Sequence, residues 1–293
     1  MSTSLLSQHT KEPLTVYRAW LYYCVIMDEI PTPPAPTLET HPETKTVFWG
    51  AWATIGLGLA IGLLFLAAQT LVLIGFLLVK ITSGPIPDLL KYVQGLANNG
   101  LVVALSTTFS AIVGVALVIL FVRIHGNISV ADYIGLRRIS WKTVAVVIIV
   151  FILTFAVIAG LETLYDTFTN SSSAEAANSS FMTDTYSTAG WLPLFWVAVV
   201  GFAPAFEEVF FRGFIFVGLQ RSRIGAAGAI LCTSLLWASL HLQYNIVGMA
   251  TIVILGIVLG VVRLKTRSLW SSVLLHSLWN FVALVGTAAS LRG

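Results

Sequence analysis

Of 293 residues, 57% are apolar and only 10% charged, and the mean hydropathy is +0.89. A soluble domain carries roughly a quarter charged residues, so a water-surrounded globule is excluded. Apolar runs long enough to cross a ~30 Å hydrocarbon core instead imply an all-α, polytopic transmembrane helical bundle. The net charge of +3 resides in loops, where basic residues set membrane orientation, and no nucleic-acid partner is expected.

Residues 1–45 are expected to form a flexible cytoplasmic leader. They lack the basic flank, apolar core and cleavage site of a secretory signal. The Pro- and Thr-rich stretch 31–45 should be extended and solvated, and the aromatic segment Val16 to Met27 is too short to span. A translation start at Met27 would leave only a short polar leader, which the intact mass of natively expressed protein would reveal. Cys24 and Cys232 are far apart, without metal-ligand spacing, and are read as free thiols.

About seven spans follow, near 47–79, 99–122, 143–164, 190–219, 225–244, 246–263 and 269–289. The first is longer than a bilayer requires, so it must tilt, break or project, and a break would make eight. Residues 46–125 are assigned to N-terminal transmembrane helices. Basic residues occupy alternate loops: Arg123, Arg137, Arg138 and Lys142; Arg221 and Arg223; Arg263, Lys265 and Arg267. The loop from Tyr165 to Ala189 has none, but carries Asp166, Glu175 and Asp184. The positive-inside rule then places the basic loops and the N-terminus in the cytoplasm of an integral cell-membrane protein.

Ionisable groups inside spans are costly and call for partners or a function; here they concentrate in the C-terminal half. Glu208 and Arg212 are four apart and share a helix face, while Glu207 lies ~100° round the helix, free to face something else. One carboxylate held by arginine beside another left available suits a general base with a structural partner. Trp237 and His241, and then His276 and Asn280, repeat the four-residue spacing on later helices. Taken singly, a Glu–Arg pair is as often structural, a helix-end histidine is more often interfacial, and HxxxN is common by chance. Their coincidence in order within about 75 residues makes a site that can activate water and stabilise an oxyanion.

The series EEVFFR at Glu207–Arg212, WASLH at Trp237–His241 and HSLWN at His276–Asn280 resembles the CAAX prenyl protease type 2 family, also called CPBP or Abi. Asp132–Arg138 (DYIGLRR) also resembles the cytoplasmic segment often preceding that domain. Residues 126–290 are accordingly assigned to a catalytic transmembrane domain. Trp237 stands where the family more usually has phenylalanine, read here as a change in packing size. The resemblance implies an intramembrane endopeptidase in which Glu207 activates water with help from His241. It also implies that Glu208 and Arg212 fix geometry, and that His276 and Asn280 donate to the oxyanion. No cofactor is then needed. Two histidines and a glutamate would also satisfy zinc, but HExxH and its inverse are absent and the metal-free reading is preferred. The implied substrate is a prenylated or bacteriocin-like peptide entering from membrane lipid. Two other readings stay open: a proton-coupled transporter, with Gly248, Gly256 and Gly260 suited to packing or movement, and a non-catalytic bacteriocin-immunity protein.

Overall fold

The computed structural model describes residues 48–126, 128–169 and 180–292. The leader 1–45, and with it the Met27 start, lies outside the described residues. All regular structure among the described residues is helical. In chain order it comprises α1 (Ala51–Ser83), α2 (Leu89–Ala97), α3 (Gly100–His125), α4 (Val130–Ile134) and α5 (Trp141–Thr169). There follow α6 (Ser180–Ser187), α7 (Leu192–Leu219), α8 (Gly225–Ser239), α9 (Ile246–Thr266) and α10 (Leu269–Ser290). Six of these, α1, α3, α5, α7, α9 and α10, are long and apolar enough to cross a membrane. This is an integral membrane protein.

Two expectations change in detail. The first span is one continuous helix of 33 residues, so it does not break into two. The fifth is shorter than expected: α8 has 15 residues, about 22 Å at 1.5 Å per residue, and ends at Ser239 rather than near 244. Leu240–Asn245 turns instead, and Asn245 starts α9 by accepting from the N–H groups of Val247 and Gly248.

Polar caps define two ends of the bundle. At one end Asn99 caps α3, and the Gly100 N–H donates to Thr188 Oγ at 2.8 Å. At the other, Trp49 donates to the Phe121 carbonyl, Arg263 to the Ile134 carbonyl and Ser268 to the Arg137 carbonyl. The basic loops therefore gather at a single end. Leu63, Val79, Leu153 and Phe168 are exposed on the outside, as expected of surface that faces lipid. Inside, the aromatic run Phe206, Phe210, Phe211, Phe214 and Phe216 of α7 is buried, and Phe206 stacks on Phe65 of α1 at 4.3 Å. α7 packs against α1, α3, α8 and α10, while α5 packs against α9 and α10.

Candidate active site

α7 is not a uniform α-helix. Ala198–Phe202 and Val209–Ile215 are π-helical, and Ala203–Glu208 between them is α-helical. Pro204 explains part of this, since it brings no N–H to the helical ladder. The Ala203 N–H bonds the Ala198 carbonyl, which leaves the Val199 carbonyl without a helical partner from Ala203 or Pro204. Asn280 Nδ2 of α10 supplies one at 2.9 Å. The π turns, which often mark functional sites, carry more residues per turn. They thereby help bring Glu207 and Glu208 level with residues of α10 that look shallower by counting.

Glu208 and Arg212 are both fully buried and pair at 2.9 Å through Oε1 and Nη1, as their spacing predicts. Arg212 Nη2 also donates to the Gly256 carbonyl of α9 at 3.1 Å, and its guanidinium lies 4.9 Å over the Trp237 ring. The contact with α9 requires Gly256: a Cβ there would come within 2.9 Å of Ser234 on α8. Gly260 packs likewise against Ile230, so these glycines serve close helix packing.

His276 Nδ1 lies 3.1 Å from the same Glu208 Oε1. An ionised carboxylate only accepts, so the proton of that bond belongs to Nδ1, and His276 Nε2 is left to face Glu207 Oε2 at 3.8 Å. Glu207 is the more accessible carboxylate, 23% exposed against 0% for Glu208. Its Oε2 accepts the Trp237 indole N–H at 2.5 Å. Four elements, α7, α8, α9 and α10, thus meet around two carboxylates.

Residues 189–282 match the model of the Rce1-like family, type II CAAX prenyl endopeptidases. No curated protein and no solved structure matches the chain. The Rce1-like segment runs from just before α7 into α10 and contains Glu207, Glu208, Arg212, His241, His276 and Asn280. The Asp132–Arg138 stretch and the first three spans lie outside it.

Within the Rce1-like segment, Glu207, Glu208, Arg212 and His276 come together as expected, and two residues stand differently. His241 lies beyond the end of α8, with Nδ1 2.8 Å from the Trp237 carbonyl. A carbonyl can only accept, so Nδ1 donates, and Nε2 takes no part in that bond. His241 reaches Glu207 through Trp237, whose ring it meets edge-on at 5.2 Å. Asn280 spends one amide hydrogen on the Val199 carbonyl. Among the described residues no three His, Cys, Asp or Glu side chains form a group able to hold a metal ion.

Three participants escape a side-chain reading of the sequence. Trp237 reads in sequence as packing volume, whereas its N–H is the direct partner of Glu207. The Gly256 and Val199 carbonyls anchor Arg212 and Asn280, and backbone acceptors leave no mark in a motif. Tyr244, stacked on His241 at 6.3 Å, belongs to the same turn. Burial chiefly, and then the Glu207 charge, raise its phenol above the ordinary tyrosine range.

Proposed function

We propose that the chain is an intramembrane endopeptidase that hydrolyses a peptide bond of a membrane-associated substrate, with Glu207 as the base for water. The observation that carries this reading is the unequal pair of carboxylates. Glu208 is consumed by Arg212 and His276, whereas Glu207 keeps accessible surface and faces His276 Nε2. Two polar atoms 3.8 Å apart can both reach a single oxygen at about 2.8 Å.

In this mechanism Glu207 takes a proton from water as its oxygen attacks the scissile carbonyl, giving a tetrahedral oxyanion. Protonated His276, held at Nδ1 by Glu208, donates from Nε2 to that oxyanion. With Glu207 and Glu208 ionised and Arg212 and His276 cationic, the buried set sums to zero charge. Collapse of the intermediate breaks the C–N bond, and Glu207 returns its proton to the departing amine. The products are a carboxylic acid and an amine, which exchange a proton to become a carboxylate and an ammonium. His241 Nε2 and the second amide hydrogen of Asn280 are available to water and oxyanion respectively. The Rce1-like match favours CAAX-type prenylated peptides, with bacteriocin-like peptides as the other class. The basic end faces the cytoplasm on this reading, and no metal takes part.

The test is incubation of reconstituted protein with farnesylated CAAX peptides and with apolar peptides, in water enriched in oxygen-18. The expected result is a defined cut with heavy oxygen in the new carboxyl. Proton-coupled flux without cleavage would contradict it.

A further inference from the structure

Arg263 is an expense that the catalytic arrangement does not explain. It is 7% exposed, forms no ion pair among the described residues, and has a buried Nε with no hydrogen-bond partner. A buried guanidinium ordinarily requires a counter-charge. Among the described residues its Nη2 donates to the Ile134 carbonyl at 3.1 Å. Gly135, at φ +75°, permits this approach: a Cβ there would lie 2.3 Å from Arg263 Nη2.

We propose that the basic end of the bundle holds a phosphate-binding site, formed by Arg263 with Arg137, Arg221 and Arg267 around one cavity. The cavity is about 490 Å³ and is lined by those four arginines, with Asp132 the acidic residue among its walls. Asp132 already accepts at 2.6 Å from the Oγ of Ser129, the N-cap of α4. Tyr133 adds no negative charge, because burial pushes its phenol up to about 12. The cavity is therefore strongly cationic.

The arginines are individually placed. Arg221 donates to the Val217 carbonyl at 2.9 Å and lies 3.4 Å over the Phe48 ring, which props its head at the cavity wall. Arg267 has φ +54°, the left-handed region, where it ends α9 in a position that glycine usually fills. Guanidinium groups recognise phosphate oxygens through paired N–H donors. The cavity also exceeds the needs of a bare phosphate, and Phe48, Ile128, Phe216 and Leu264 give it apolar walls at the ends of membrane helices. The phosphate is supplied either by an anionic lipid headgroup or by a free phosphate. Glu207 lies 14 residues before Arg221, farther into α7, and does not line this cavity.

The experiment uses full-length protein in nanodiscs of phosphatidylcholine, with and without phosphatidylglycerol. The thermal midpoint is followed in both, and inorganic phosphate is titrated against chloride at matched ionic strength. The expected result is a rise of a few degrees with phosphatidylglycerol or phosphate that chloride does not reproduce. A rise with phosphatidylglycerol alone assigns the headgroup, and an equal rise with phosphate in neutral discs assigns the free anion. Arg221→Gln/Arg267→Gln, two exposed side chains, should keep the midpoint in neutral lipid and lose the rise. Native mass spectrometry of the wild type gives a reading independent of any variant: preferential retention of phosphatidylglycerol or phosphate is expected. Identical midpoints in all conditions with no retained anion, or a full rise in the double variant, would overturn the proposal.

Discussion

Trp237 donates its indole N–H to Oε2 of Glu207 at 2.5 Å, the same oxygen that faces His276 Nε2. The carboxylate is thus oriented from α8 and approached from α10, and neither contact is available to Glu208. Phenylalanine would fill much of the same volume without the donor. Trp237→Phe should therefore lower kcat about ten- to a hundredfold, in line with about 1.5–3 kcal/mol for a hydrogen bond to a charged group. The thermal midpoint should change little. Cleavage at the wild-type rate by a folded Trp237→Phe protein would show that orientation of Glu207 does not depend on the indole.

Arg212→Ala should unfold the protein more readily as well as silence it. Glu208 would keep His276 but lose the arginine paired with it, and breaking a buried ion pair costs about 3–5 kcal/mol. Replacing both partners, Glu208→Gln with Arg212→Met, should be less destabilising than Arg212→Ala alone. Thermal unfolding in one detergent compares them directly.

Asn280→Ala leaves the half-buried Val199 carbonyl without its donor, at a cost of at most the about 1–3 kcal/mol of a fully buried acceptor. A fall in midpoint accompanied by weaker cleavage is expected. An unchanged midpoint with lost cleavage would assign Asn280 to the oxyanion alone.

Gly256→Val should separate α8 from α9, because even a single Cβ at this position meets Ser234 at 2.9 Å. Loss of the Arg212 contact with the Gly256 carbonyl then follows. Adding Ser234→Gly should restore part of the stability and activity, measured by unfolding and by peptide cleavage.

The sequence discloses what rests on side-chain spacing. Glu208 and Arg212, four apart, do pair, and six of the seven expected spans are helices long and apolar enough to cross a membrane. What spacing could not disclose depends on backbone and on chain ends. The π turns around Pro204 set the register of Glu207 against His276, and no side-chain period announces them. α8 stops at Ser239 because Leu240–Asn245 turns there, which moves His241 off the helix and toward the Trp237 carbonyl. Trp237 itself was visible as an aromatic, yet its N–H gains meaning only once Glu207 is placed beside it.

The most direct test of the account is cleavage of one peptide by wild type and by Glu207→Gln, each with and without a metal chelator. Glutamine preserves the shape of residue 207 and its capacity to accept from Trp237, but cannot take a proton from water. The account predicts a folded Glu207→Gln protein with cleavage reduced at least about a hundredfold, in keeping with the ~10²–10⁴-fold assigned to general base catalysis, and a wild type indifferent to chelator. Cleavage retained by Glu207→Gln, or abolished in the wild type by chelation and restored by added metal, would contradict it.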